Sequence, residues 1–358
     1  MARDFFYDPN KSYEENYKRG PFGSFKSATA RKERTEPTYS FLSQPVYLPF
    51  GIPAGPVLNS KYVAAAFNMG YDIVVYKTVR TDIYPCHPFP NILSVHFSGK
   101  NLTLRKLDRK LLGDHEYRTP ISITNSFGVP SRTPEIWQRD AAKAVKAAGK
   151  GQVMIMSFMG TVRPRQTEKQ FIDDYILAAR LAKETGAKIL EANLSCPNVG
   201  NEGLVCYNLE VTEKIARGIR KAIGNTPLVL KIGYYRDEKQ LRKFAEIANA
   251  YANDIAAINT LQGTIIDKDG DQALPGANRL KSGVCGAGIK WAGLDMVKRL
   301  HAIRSKKKYR FSITGVGGVT SPQDYVQYRR AGADAVMSAT GAMWNPRLAF
   351  QIKQYLKK

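Results

Sequence analysis

The stretch Phe311-Ser-Ile-Thr-Gly-Val-Gly-Gly-Val-Thr-Ser-Pro-Gln-Asp324 decides the architecture. A short apolar run ends in glycines, and a helix start follows. Ser321 is placed to cap that helix, and Pro322 suits its first position. The same unit recurs along the chain: a short β-branched run, a Gly, Pro or Asn turn, then an amphipathic stretch. The apolar runs fall at 51–55, 72–78, 121–124, 152–158, 188–194, 227–232, 254–260, 311–316 and 334–339. The helical stretches fall at 60–69, 133–149, 167–185, 209–223, 238–252, 291–305, 321–331 and 345–357. Regular alternation of this kind predicts βαβ units and a parallel sheet.

There is one run more than eight. The run at 121–124 belongs to an excursion, 79–121, which holds an expected hairpin at Ile92 to Phe97. A second, Gly-rich excursion spans about 264–288. The fold expected is therefore α/β: a (β/α)8 TIM barrel with an N-terminal extension over 1–45 and two insertions at the active-site rim. The barrel domain occupies 46–358. The extension is polar and Tyr/Lys/Ser-rich, and it reads as a segment wrapping the surface or partly disordered.

The chain has 358 residues, with 54 Lys+Arg against 31 Asp+Glu, a formal charge of +23. That excess raises nucleic acid or an anionic surface as a partner. The densest basic run, Lys298 to Arg310, lies in a helix and the turn after it, away from the strand ends. The charge therefore reads as a solvated face, and nucleic acid is not an expected partner. The N-terminus carries acids where a signal peptide would be apolar, and no uncharged run is long enough to span a membrane. Cytoplasmic location without a membrane anchor is expected. The cysteines (Cys86, Cys196, Cys206, Cys285) form no C-x-x-C pair, which removes the usual zinc and iron–sulfur ligand sets.

The runs end in polar residues: Lys77-Thr78, Asn193, Lys231, Asn259-Thr260 and Gly317-Gly318. In a (β/α)8 barrel these ends share one rim, where active sites sit. A lysine closing a buried strand either snorkels to solvent or meets an anion, and two on converging ends favour an anion. Glu191-Ala-Asn-Leu-Ser-Cys-Pro-Asn198 gathers two amides, a hydroxyl and a thiol at one strand end. Amides suit a heterocycle edge carrying both C=O and N–H groups. The thiol is either a base or nucleophile, or an inert buried sulfur. Asn125-Ser-Phe-Gly-Val-Pro130 adds another amide. Gly317 and Gly318, with Val336-Met-Ser-Ala-Thr-Gly341 after the eighth strand, stand where barrels hold phosphate. No paired carboxylates or histidine clusters occur, so metal and glycosidase chemistry lose support.

These residues in this order resemble the dihydroorotate dehydrogenase family over about 46–350. Asn-Leu-Ser-Cys-Pro-Asn at 193–198 carries the resemblance most specifically, with Lys77-Thr78, Lys231, Asn259-Thr260, Ser282-Gly-Val-Cys-Gly-Ala-Gly-Ile-Lys290 and Gly315-Val-Gly-Gly318. A cysteine rather than a serine resembles the soluble class 1. The resemblance implies an FMN-binding barrel domain that oxidises dihydroorotate to orotate in pyrimidine biosynthesis. Cys196 would remove the C5 proton while the flavin takes the C6 hydride, with Lys77 beside both. It implies substrate binding by Asn125, Ser126, Phe127, Gly128, Val129, Asn193, Asn198, Asn259 and Thr260. It implies FMN binding by Ala54, Gly55, Lys77, Thr78, Asn125, Asn193, Lys231, Gly286, Gly317, Gly318, Ala339 and Thr340. A homodimer is implied, with fumarate, quinone or a partner subunit accepting electrons. Alternatives are another FMN-barrel pyrimidine oxidoreductase similar to dihydropyrimidine dehydrogenase, an enzyme similar to tRNA-dihydrouridine synthase, or a flavin-free binding barrel.

Overall fold

A computed structural model describes residues 5–27, 29, 36–195 and 204–357. Eight parallel strands close into a barrel in sequence order: β1 (Phe50–Ile52), β2 (Ile73–Val79), β3 (Val153–Phe158), β4 (Ile189–Asn193), β5 (Leu228–Ile232), β6 (Asp254–Ala257), β7 (Ser312–Val316) and β8 (Ala335–Met337). Their helices are α1 (Ser60–Asn68), α2 (Pro134–Lys146), α3 (Glu168–Glu184), α4 (Leu209–Ile223), α5 (Glu238–Tyr251), α6 (Lys290–Lys307), α7 (Pro322–Arg330) and α8 (Leu348–Tyr355). This is the expected (β/α)8 TIM barrel.

Local chemistry explains the elements. β3 is buried at every residue, as a barrel strand with two covered faces must be. Thr167 and Gln170 form a capping box at the start of α3, and Ser321 and Asp324 do the same at α7. The final expected helix forms as α8, and a separate short helix, Thr340–Trp344, precedes it, with Pro346 between them.

The barrel interior is apolar at its lower end. Phe41 and Val46, from an antiparallel hairpin of Tyr39–Phe41 and Gln44–Val46, pack against Ile73, Val153, Ile189 and Val229. That hairpin closes the end opposite the site. The segment before it is anchored rather than loosely wrapped. Phe6, Tyr7, Tyr13 and Phe25 are buried in the main core, and the Phe6 ring lies 4.1 Å from that of Phe25 and 4.9 Å from that of Tyr62.

The two excursions build one structure. Strands Ile92–His96, Lys110–Asp114, Ser122–Asn125, Leu261–Ile266 and Lys281–Gly286 form a second, five-stranded closed sheet. Ile92–His96 is a single strand, not a hairpin. It pairs antiparallel with Lys110–Asp114 and with Ser122–Asn125.

Asp254 opens β6 fully buried. Its Oδ2 accepts from the Thr314 hydroxyl at 2.8 Å, and its Oδ1 has no partner among the described residues. Burial outweighs the Thr314 hydrogen bond and, with the Asp334 and Glu191 carboxylates nearby, pushes this carboxyl up to about 7. The folded state then keeps a proton that the unfolded state has released, so the stability it contributes is lost as pH rises through about 7. Asp254→Asn should therefore gain stability relative to the wild type as pH rises from about 5 to about 8, by up to about 1.4 kcal/mol per unit below the native pKa. Urea unfolding across that range checks this, and a pH-independent difference would contradict it.

Candidate active site

One cleft lies over the C-terminal rim of the barrel, roofed by the five-stranded sheet. Barrel strand ends contribute Ala54, Gly55, Lys77, Thr78, Asn193, Lys231, Asn259, Thr260, Gly317, Gly318, Ala339 and Thr340. The excursions contribute Asn125, Phe127, Val129, Cys285 and Gly286. Of the residues expected at the site, Ser126 and Gly128 do not line the cleft, and Cys196 and Asn198 lie outside the described residues.

Lys77 and Lys231 are both buried, at 8% and 5% exposure. The Lys231 ammonium donates to the Ala54 carbonyl at 3.2 Å, its one partner among the described residues. The Lys77 ammonium donates to the Thr78 carbonyl at 3.4 Å. A buried cation met by a carbonyl alone is poorly compensated, so an anionic or electron-rich occupant would stabilise Lys231.

Neighbours fix the polarity of the hydroxyls and amides. Ser157 donates to the buried Glu191 carboxylate at 2.8 Å, which uses its only proton. The Thr78 hydroxyl, 2.9 Å from Ser157, must then donate to it and keeps only lone pairs for an occupant. Asn193 accepts from the Ser195 backbone N–H at 3.2 Å, which leaves its Nδ2 as the donor end. Asn259 Nδ2 donates to the Ser195 carbonyl at 2.7 Å. Both amides thus hold the residue immediately before Cys196. The Thr260 hydroxyl is buried without a partner among the described residues.

The loop after Ser122–Asn125 is held by two buried guanidiniums. Arg279 donates to the Ser126 carbonyl at 2.8 Å, to the Pro88 carbonyl at 2.8 Å and to Pro275. Arg80 donates to the Val129 carbonyl at 2.9 Å and the Gly128 carbonyl at 3.1 Å. The Ser126 hydroxyl accepts from Arg279 and sits 3.2 Å from His87 Nδ1. Ser126 and Gly128 therefore serve the support side of the loop, while Phe127 and Val129 face the cleft. Val129 adopts a φ of 54°, an uncommon conformation for a β-branched residue, pinned here by Arg80.

Gly317 and Gly318 turn the chain after β7 with φ of 128° and 66°. A Cβ on Gly318 would lie 2.7 Å from Lys290 Cβ and 2.8 Å from the Gly286 carbonyl, so only glycine fits this turn.

Sequence reasoning missed Tyr7, Cys285, Arg80 and Arg279. Cys285 has a sequence signal, since it adjoins Gly286. Its sulfur accepts from Asn125 at 3.5 Å and Thr340 at 3.4 Å, and burial pushes its thiol up. Cys206 is buried, and its thiol is pushed up to about 12 by that burial, which makes it inert.

The fold and the cleft define a (β/α)8 barrel with a cleft lined by lysines, amides and glycines at its C-terminal rim. The family model for dihydroorotate dehydrogenase matches residues 116–358. A dihydroorotate dehydrogenase of Dictyostelium discoideum is 36% identical over 356 residues, covering 96% of this chain and 95% of that protein. The catalytic subunit of dihydroorotate dehydrogenase B (NAD(+)) of Maridesulfovibrio salexigens is 31% identical, covering 51% of this chain and 57% of its own. Dihydroorotate dehydrogenase A (fumarate) of Limosilactobacillus reuteri is 28% identical, covering 49% and 54%. The chain belongs to the dihydroorotate dehydrogenase family.

The buried guanidinium of Arg279 gives a direct test of the site's support. Arg279→Lys should destabilise the protein by about 1–3 kcal/mol by leaving buried carbonyls unmet. Denaturant unfolding measures the loss, and an unchanged midpoint would contradict the account of the loop.

Proposed function

We propose that this chain oxidises dihydroorotate to orotate with FMN as its cofactor. The observation that carries the reading is Lys231, buried at the rim with only a carbonyl partner among the described residues. A flavin edge that gains negative charge on reduction would meet that ammonium. The residues present fit the group: the Gly317-Gly318 turn suits its phosphate, with Ala339 and Thr340 beside it. FMN, when bound, supplies a ring that accepts a hydride.

The chain's own residues do the rest. Asn125, Asn193, Asn198 and Asn259 present amides to the C=O and N–H edge of the pyrimidine, with Thr260 beside them. Lys77 faces the substrate carboxylate. Cys196 removes the C5 proton as the C6 hydride leaves, so two positioned transfers replace one difficult step. Asn193 and Asn259 orient the base through Ser195.

The cysteine at 196 favours the cytoplasmic class 1, acting as a homodimer. Residues 46–358 form the FMN-binding domain and 1–45 its extension. Among the described residues no helix is long and apolar enough to cross a membrane. The relatives' names divide between fumarate and NAD(+), so a soluble acceptor or a partner subunit is favoured over quinone.

Cys196→Ala should retain FMN, judged by its visible absorption, while anaerobic flavin reduction by dihydroorotate slows by about 10²-fold or more. Reduction at the wild-type rate would remove Cys196 as the base.

A further inference from the structure

The end of the barrel opposite the cleft carries more positive charge than its local structure uses. The last turns of α2, α3, α4, α6, α7 and α8 hold eleven cations there. Lys188, Lys308 and Arg310 add to them in the connections that lead into β4 and β7. Each helix C-terminus presents about −0.5 charge, so the eight barrel helices together present about −4. The dipoles explain where the cations sit but not how many there are. The acids at this end are already engaged. Asp72 pairs with Lys353, Asp334 with Arg304 and Glu36 with Lys150, while Glu184 accepts from Gln138. Lys146, Lys188, Lys221, Lys307, Arg310 and Arg330 are exposed, and none has an acid partner among the described residues. They come from the ends of five helices, or from the loops that follow, and stand around the hairpin that closes the barrel.

Apolar groups project from the same end. Tyr39 of the hairpin is 43% exposed, and Tyr355 and Leu356 at the end of α8 are 42% and 45% exposed. The Lys353 ammonium lies 5.7 Å from the centroid of the Tyr47 ring, so the end of α8 and the hairpin are neighbours. Cations around exposed aromatic and aliphatic side chains suit a lipid surface. The charges meet anionic headgroups, and the rings and the leucine reach the apolar boundary beneath them. A nucleic acid would use the charge through its phosphates but would leave Leu356 in water.

We propose that this face docks the protein reversibly on anionic phospholipid membranes, with the basic residues on the headgroups and Tyr39, Tyr355 and Leu356 at the interface. The cleft opens at the opposite end, so the docked protein keeps its site facing solvent. The proposal goes beyond the reading of the cleft and does not depend on which substrate the cleft holds.

The test is cosedimentation of the FMN-loaded protein with vesicles of phosphatidylcholine, alone or with about 30 mol% phosphatidylserine. Binding is expected to the mixed vesicles only, and to fall steeply between about 50 and about 300 mM salt. Exchanging Lys188, Lys221, Lys307 and Arg310 together for glutamine should weaken it about tenfold or more, with flavin reduction by dihydroorotate unchanged. Leu356→Ser should weaken it about threefold or more with every charge retained. Equal binding to both vesicle types, no binding to either, or wild-type binding by the glutamine variant would overturn the proposal. So would wild-type vesicle binding by Leu356→Ser, or tighter binding to a short DNA duplex than to the mixed vesicles, which would assign the face to nucleic acid. If dihydroorotate fails to reduce the wild-type flavin, the proposed function fails, while the vesicle measurements still decide the docking face.

Discussion

Closure of the parallel sheet is the constraint on which everything else depends. The seam between β8 and β1 has only two registered pairs, Val336 with Phe50 and Met337 with Gly51. It is reinforced by the backbone, with Val336 donating to the Pro49 carbonyl and Ser338 to that of Gly51. Gly51 sits so close to β2 that a Cβ would collide with the Ile73 carbonyl. The buried Asp72 carboxylate ties the approach to β1 by accepting from the Leu48 N–H at 2.7 Å, and it pairs with Lys353 of α8 at 3.1 Å. Once the ring is closed, the C-terminal strand ends converge. Lysines, amides and glycines that lie far apart in sequence then share one cleft.

Closure also sorts charge. The helices run antiparallel to the strands, so their C-termini gather at the end opposite the cleft. Basic residues occupy their last turns: Lys143 and Lys146 in α2, Lys183 in α3, Arg220 and Lys221 in α4, Lys306 and Lys307 in α6, Arg329 and Arg330 in α7. Each complements the negative end of its helix dipole. Much of the +23 charge thus has a structural account on the lower face. Lys77 and Lys231, by contrast, are buried at the rim.

The barrel was legible because its signals are local. A run such as Val153–Phe158 is apolar throughout, and caps such as Thr167 and Ser321 mark helix starts within a few residues. The polar strand ends followed once the fold was assumed. What was not legible depends on distant pairing. Lys110–Asp114 has a polar face and is a strand only because Ile92–His96 and Leu261–Ile266 flank it. Arg80 and Arg279 look like surface residues in sequence, and their acceptors are carbonyls supplied by folded loops. Phe6 and Tyr7 were hidden in a polar tract, where two aromatic rings carry more weight than the surrounding charges.

The central claim is that the rim holds a flavin that takes electrons from an anionic dihydropyrimidine. Anaerobic mixing of the purified protein with dihydroorotate, dihydrouracil and dihydrothymine in turn tests it most directly. The account predicts that dihydroorotate bleaches the flavin as orotate appears, and that the two neutral compounds leave it oxidised. Bleaching by dihydrouracil but not by dihydroorotate, or a protein that binds no flavin, would contradict it.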